Sequence, residues 1–160
     1  MAGMQEPRPV LVSACLLGRA CRYDGRHNRD DVLARRLAEA GETAVPFCPE
    51  EEGGLGTPRP AAWLETQAGE VLDGRGRVRT EAGADVTAEF LRGAEKALAR
   101  CRADGIRRAY LKERSPSCGV RYTHVAGALV EGLGLTAELL ERNGVRAIGV
   151  EGRRGADSPR

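Results

Sequence analysis

Apolar residues occur along the chain in two patterns, as short runs and as longer stretches with helical spacing. Short apolar runs are typical of buried strands, and they predict four strands, at residues 9–14, 43–47, 106–112 and 145–150. Helical spacing predicts three helices, at residues 30–40, 86–104 and 135–143. A glycine follows each helical stretch and suits the left-handed residue that ends a helix. Asp85 or Thr87 is the expected N-cap of the second helix, and Thr136 that of the third.

Strands that alternate with helices predict a parallel sheet, because right-handed crossovers carry the helices onto its two faces. We expect an α/β fold, a single-domain, Rossmann-like three-layer sandwich of about four parallel strands in the order 2-1-3-4. An additional β-hairpin is predicted at residues 70–80, around the turn signal Asp73-Gly74. Residues 49–60 contain three prolines and three glycines and are predicted to be irregular.

Length and charge narrow the choice of function. A chain of 160 residues normally forms one domain, which we place at residues 8–151, with flexible termini at 1–7 and 152–160. The net charge of +2 indicates no field for binding nucleic acid. No stretch approaches the roughly 18 apolar residues of a membrane span, and the N-terminus has no apolar signal core. We therefore expect a soluble, cytoplasmic protein with neither a membrane nor a nucleic-acid partner.

Three of the five cysteines come just after predicted strands. Cys15 follows the first strand, Cys48 the second, and Cys118 comes shortly after the third. The carboxyl ends of neighbouring parallel strands open on one crevice, where ligands usually bind, so these thiols are expected to meet. Thiolates are soft ligands that suit zinc or an iron-sulfur cluster. Three small buried apolar residues are the alternative interpretation.

The number of candidate ligands distinguishes between kinds of metal site. Structural zinc usually takes four ligands in closely spaced pairs, and the chain has no C-x-x-C pair. Four-iron clusters usually take four thiolates. Three cysteines from three separate loops would leave one iron without a protein ligand, open to a sulfur atom of a substrate.

Two residues near these cysteines are candidates for proton transfer. Glu50 comes two residues after Cys48, where a carboxylate could move protons; surface solvation is its alternative role. Ser115 could donate to a substrate or relay a proton, although a serine before proline is more often a turn residue. Trp63 could stack on a base, and His124 could bind a metal or substrate.

The remaining cysteines and several cations have weaker functional signals. Cys21 is a candidate spare ligand or persulfide carrier, but we favour a structural or supporting role. Cys101 lies on the apolar stripe of its helix and is expected in the core. Arg22, Arg59 and Lys112 could offset the charge of a cluster or bind an anionic group.

Four groups of residues form separate motifs along the chain. They are VSACLLG at 12–18 with CRYDG at 21–25, CPE at 48–50 with GGL at 53–55 and TPRP at 57–60, DVT at 85–87 with Phe90 and GA at 93–94, and LKE at 111–113 with SPSCG at 115–119. Together they resemble the signatures of the thiouracil desulfidase family, long classed as a domain of unknown function. The resemblance extends from about residue 9 to residue 150, which is nearly the whole chain.

This resemblance implies an iron-sulfur-dependent enzyme. It implies a 4Fe-4S cluster held by Cys15, Cys48 and Cys118, with one open iron, that air-purified protein can lack. It also implies Glu50 as the acid-base residue and Ser115 as a catalytic serine. The implied reaction removes sulfur from thiolated uracil, or from a related thionucleobase or thionucleoside, and releases sulfide. We expect a small-molecule substrate and a monomer or weak homodimer.

Two stretches depart from the family pattern, at residues 61–63 and 122–125, and leave the exact substrate open. Two other functions also remain open. One is a persulfide sulfurtransferase, with Cys21 as its best candidate. The other is a zinc- or RNA-binding module linked to thiolated transfer RNA.

Overall fold

The computed structural model describes residues 6–152. Its strands are β1 (Arg8–Ser13), β2 (Glu42–Phe47), β3 (Ala62–Leu64), β4 (Val78–Thr80), β5 (Arg108–Lys112), β6 (Tyr122–Val125), β7 (Ala128–Glu131) and β8 (Arg146–Val150). Its α-helices are α1 (Asp31–Glu39), α2 (Pro49–Glu52), α3 (Ala68–Leu72), α4 (Thr87–Asp104) and α5 (Leu135–Arg142). A 3-10 turn, Ala14–Leu17, follows β1. The predicted flexible termini lie almost wholly outside the described residues.

The four strands predicted from the sequence form one parallel sheet in the order β2-β1-β5-β8. This is the order predicted from the sequence, and the α/β fold class is confirmed. The switch point lies between β1 and β5, which are the first and the third strands of this sheet in chain order. The carboxyl ends of β1, β2 and β5 therefore lie side by side, as a ligand site at a switch point requires.

Alternate side chains of β1 pack against different layers, which explains why its apolar run is continuous. Val10 and Val12 pack with Leu33 and Leu37 of α1. Leu11 points the other way, into a cluster built with residues of α4 and α5. Because helices cover both faces of the sheet at β1, this strand needs apolar residues at consecutive positions.

A second sheet, with the order β4-β3-β6-β7, was not predicted. Strand β3 pairs antiparallel with β4 and parallel with β6, and β6 pairs antiparallel with β7. Its inner residues, among them Leu64 and Val78, pack with Val71 of α3 and Phe90 of α4. The strands have only three or four residues each, too few to give a clear alternation of apolar and polar positions.

The hairpin predicted at residues 70–80 is wrong. Val71 belongs to α3, and its backbone N–H donates to the carbonyl of Gln67. Asp73 and Gly74 end this helix instead of joining two strands. The hairpin of the fold is β6–β7, whose turn residues Ala126 and Gly127 both have positive φ. Alanine is an unusual residue at such a position, so the sequence carried little signal for this turn.

Three smaller expectations also need correction. Residues 49–60 are not wholly irregular, because α2 forms one helical turn at Pro49–Glu52. Proline suits the first helical position, and the following glutamates favour the positive end of a helix. Gly134, not Thr136, is the N-cap residue of α5. In α4, Val86 is the N-cap residue, and Asp85 accepts a hydrogen bond from the backbone N–H of Thr87.

Candidate metal centre

The carboxyl ends of β1, β2 and β5 open on a cavity of about 370 Å³. Four cysteines line it: Cys15, Cys21, Cys48 and Cys118. Each of the four is at most 8% exposed. The structure thus brings together the three cysteines that come after predicted strands and adds Cys21 to them. Cys101 is 1% exposed and lies in the core cluster of α4 and α5, as expected.

Cys15 is held by the turn that follows β1. The backbone N–H of Asn28 donates to the carbonyl of Cys15 at 2.8 Å. The side-chain amide of Asn28 also approaches the Cys15 sulfur, with Nδ2 3.6 Å from Sγ. Asn28 therefore fixes both the backbone and the thiol of Cys15, although it is 13 residues away in the chain.

Cys48 sits at the start of α2, which packs closely on α4. A side chain at Gly93 would collide with the backbone carbonyl of Pro49, and one at Gly53 would collide with that of Glu89. Only glycine allows the two backbones to approach this closely. The glycines of two sequence motifs therefore position Cys48 and Glu50 at the cavity.

Cys118 lies in the loop after β5, and hydrogen bonds to Ser115 shape this loop. The Ser115 hydroxyl accepts from the backbone N–H groups of Ser117 and Cys118, both at 3.1 Å. Its own O–H proton remains available to donate, because both of these bonds use its oxygen as acceptor. Ser115 lines the cavity, so it can hold the loop and face a ligand.

The thiol of Cys21 contacts both Cys15 and Cys48 and changes their acidity. Its hydrogen bond lowers the pKa of Cys15 to about 7, against the opposing effect of burial. It likewise lowers the pKa of Cys48, with help from the backbone N–H of Glu51. The pKa of Cys21 itself is raised, because its thiol proton forms hydrogen bonds to the two neighbouring sulfurs. Burial also raises the pKa of Cys118.

Glu50 lines the same cavity and is held by two partners. Its Oε1 accepts from Nε of Arg59 at 2.9 Å, in a salt bridge whose side chains are 14% and 8% exposed. Its Oε2 accepts from the Ser117 hydroxyl at 3.2 Å. Burial lowers the pKa of Arg59, but the Glu50 carboxylate, with the nearby Cys48 and Cys21, offsets this effect, so the pKa is raised. Nothing in the sequence favours Ser117 over Ser115 as the partner of Glu50, since both lie in the same loop.

Positive charge surrounds the cysteines, as the sequence suggested for three of these residues. Arg22, Arg59, Lys112 and Arg114 all line the cavity. Burial lowers the pKa of Lys112, and the nearby Cys15 opposes this effect. Several thiolates in one pocket repel each other, so cations beside them reduce the cost of holding negative charge there.

The second sheet supplies the opposite side of the cavity. Trp63 of β3 and His124 of β6 line it together with Gly127 of the β6–β7 turn. His124 Nδ1 lies 2.7 Å from the carbonyl oxygen of Arg114. Since a carbonyl only accepts, Nδ1 must carry a proton, and neutral His124 is left with an acceptor at Nε2. The other histidine, His27, is exposed and accepts from the backbone N–H of Arg29.

The donor set tests whether a metal-sulfur cofactor suits the site. Thiolates are the usual ligands of iron-sulfur clusters, and four buried thiols reach this one cavity. The pKa of Cys15 and that of Cys48 are already lowered toward the ligand form. Nearby cations balance the charge. These residues fit an iron-sulfur cluster, and Cys15, Cys48 and Cys118 are the three that end strands or follow them.

Comparisons with known proteins point to one family. A family model described as 2-thiouracil desulfurase matches residues 10–151. A solved structure of the 4Fe-4S-dependent thiouracil desulfidase TudS is 46% identical, with a TM-score of 0.74, and the match covers 89% of this chain and 90% of that one. The uncharacterized protein YbbK of Bacillus subtilis (strain 168) is 39% identical over 143 residues, which cover 87% of this chain and 93% of that protein.

Among the described residues, no helix is both long and apolar enough to cross a membrane.

Proposed function

The chain belongs to the 2-thiouracil desulfurase family, and from this premise we propose that it is an iron-sulfur-dependent desulfidase. Its substrate is thiolated uracil or a related thionucleobase or thionucleoside. The observation that carries the proposal is the convergence of Cys15, Cys48 and Cys118 on one cavity that Glu50 and Ser115 also line. The domain that performs this reaction spans residues 8–151.

Cys15, Cys48 and Cys118 would hold a 4Fe-4S cluster, which leaves one iron without a cysteine. When bound, the cluster supplies a Lewis acid for the thiocarbonyl sulfur and acts without transferring electrons. The overall reaction is a hydrolysis. The oxygen of water bonds to the ring carbon, the carbon-sulfur bond breaks, and the protons leave with sulfide, so no oxidant or reductant is needed.

Glu50 is placed to move the protons of this reaction. Each of its carboxylate oxygens already accepts one hydrogen bond, from Arg59 or from Ser117, and each retains capacity for another. Glu50 takes a proton from the attacking water and passes it toward the departing sulfur. Arg59 and Ser117 keep the carboxylate facing the cavity and stop it from rotating away.

Ser115 acts at the pyrimidine ring. Its oxygen accepts from two backbone N–H groups, which polarise the hydroxyl and make its proton a better donor. Through this proton it donates a hydrogen bond to a ring heteroatom as the carbon-sulfur bond breaks, and the hydroxyl keeps the proton. His124, with its acceptor at Nε2, is suited to receive a hydrogen bond from a ring N–H.

The experiment is to load the protein with iron and sulfide under anaerobic conditions and to add 2-thiouracil. Uracil and sulfide should form in equal amounts, and only in protein that contains iron. Loaded protein that releases no sulfide from thiouracil or from thiouridine would overturn the proposal. If the cluster-free protein instead carries a labile sulfur adduct on Cys21 by mass spectrometry, a persulfide sulfurtransferase becomes the better account.

A further inference from the structure

A second set of potential metal ligands overlaps the candidate cluster site. The sulfurs of Cys21 and Cys48 and a carboxylate oxygen of Glu51 all lie within 4.8 Å of one another. Both cysteines are buried, and Glu51 is half-buried. Neither Cys21 nor Glu51 has a role in the proposed desulfidation, and Cys48 is the only residue that the two sets share.

The chemistry of this set differs from that of an all-cysteine cluster site. Two thiolates and one carboxylate are ligands that Zn²⁺ accepts in tetrahedral sites, with water or another donor in the fourth position. Ligand atoms in such a site lie about 3–4 Å apart, as bond lengths of roughly 2.0–2.3 Å around one ion require. The three atoms are therefore close enough that small side-chain rotations would complete the site.

Contacts with other residues hold the three ligands in place without a metal. The backbone carbonyl of Cys21 accepts from Nη2 of Arg59 at 2.9 Å, and the Cys48 sulfur lies 3.8 Å from the same carbonyl oxygen. Glu51 forms a salt bridge with Arg19 at 3.3 Å and accepts a hydrogen bond from the Thr57 hydroxyl. Such supporting contacts orient metal ligands before the ion arrives.

We propose that the cluster-free protein binds a Zn²⁺ ion through Cys21, Cys48 and Glu51. Binding releases the two thiol protons and involves no change of oxidation state. Because Cys48 cannot serve both sites fully, zinc and the iron-sulfur cluster exclude each other. The zinc-bound form is a stable state of the protein that does not take up a cluster.

Zinc binding is tested without substrate and without iron, on the full-length, cluster-free protein in a thiol-free reductant. We expect it to take one Zn²⁺ from a colorimetric chelator. Cys21→Ser and Cys48→Ser should lose this binding, whereas Cys118→Ser and the core variant Cys101→Ser should keep it. Glu51→Gln should weaken it by at least the roughly 10- to 100-fold that loss of a supporting partner costs. Wild-type protein that binds no zinc would overturn the proposal.

Co²⁺ reports the ligands directly, which guards against variants that fail to fold. In wild-type protein it should give a thiolate charge-transfer band and the visible bands of a tetrahedral ion. The same spectrum in Cys118→Ser supports the proposal. A spectrum that is lost in Cys118→Ser and kept in Cys21→Ser would contradict it, because zinc would then occupy the cluster ligands.

Competition with the cluster separates this proposal from the proposed function. Zinc-loaded wild-type protein should take up much less iron and sulfide than zinc-free protein, and a chelator should restore the uptake. Cys21→Ser should take up the cluster equally well with or without zinc. Equal uptake by zinc-loaded and zinc-free wild-type protein would overturn mutual exclusion, whether or not the loaded enzyme is active.

Discussion

The two sheets of this protein face each other across one cavity but contribute different things to it. The parallel sheet supplies the cysteines and Glu50, at the ends of strands buried by helices on both sides. The second sheet supplies Trp63 and His124, from strands of three or four residues. In the proposed reaction, the first sheet holds the reactive groups and the second forms the wall that a substrate would contact. Variants on the two sides should affect different kinetic constants.

The largest effect on catalysis is expected at Glu50, on the side of the parallel sheet. Glu50→Gln keeps a side chain that can meet Arg59 and Ser117 but cannot accept a proton. We expect kcat to fall roughly 100- to 10,000-fold, with iron content unchanged. Steady-state kinetics of the iron-loaded variant checks this. A variant that keeps more than half of the wild-type kcat would exclude Glu50 as the acid-base residue.

A substitution at the junction between the two sheets should lower the stability of both sheets together. Glu113, at the end of β5, is 3% exposed and accepts hydrogen bonds from the backbone N–H groups of Val120, Arg121 and Tyr122. Glu113→Ala leaves these donors unpaired, which should cost at least about 3 kcal/mol of unfolding free energy. Chemical denaturation measures the loss. Glu131→Ala, at an exposed position of β7, is the matched control and should cost little.

Trp63 should affect substrate binding without affecting the chemistry. If its ring stacks on the base, Trp63→Ala loses about 1–3 kcal/mol, so KM should rise roughly 5- to 150-fold. Trp63→Phe retains an aromatic face and should lose less. We expect kcat and iron content to stay near the wild-type values. A decrease in kcat with KM unchanged would instead place Trp63 among the reactive groups. It would contradict the proposal that the two sheets have separate roles.

The smallest effect is expected for chemical modification of Cys101, whose side chain lies on neither side of the cavity. Burial raises its pKa to about 11, so at pH 8 it remains a thiol in the folded protein, and the thiol is the unreactive form. Iodoacetamide should modify it much more slowly than after unfolding, as followed by mass spectrometry. Equal rates in folded and unfolded protein would show that the core around Cys101 is open.

The difference between the two sheets also explains how much of the fold could be predicted from the sequence. Continuous runs such as residues 9–14 identify a strand without reference to its neighbours, and their order along the chain fixed the parallel sheet. Strand β3 has only three residues, and its partners β4 and β6 come from distant parts of the chain. Val71 and Leu72 form an apolar pair that suits a strand or a helical turn equally. Tertiary packing, not local pattern, decided these cases.

The candidate site was likewise predictable only where its residues follow strands with a clear sequence pattern. Cys15, Cys48 and Cys118 were expected to meet because each follows a strand of the well-predicted sheet. Cys21 lies in an irregular loop, so no pattern placed it between Cys15 and Cys48. The pairing of Glu50 with Ser117 depends on the fold of the loop around Cys118, which Ser115 shapes through hydrogen bonds. Such contacts become visible only in three dimensions.

In the proposed function, three cysteines, not four, hold a cluster in this cavity. The most direct test is the iron and labile sulfide content of single variants after anaerobic loading. We expect about four irons and four sulfides per chain in wild-type protein, Cys21→Ala and Cys101→Ala. We expect essentially none in Cys15→Ala, Cys48→Ala and Cys118→Ala. Full loading of Cys118→Ala, or loss of the cluster in a folded Cys21→Ala, would exclude the three-cysteine site.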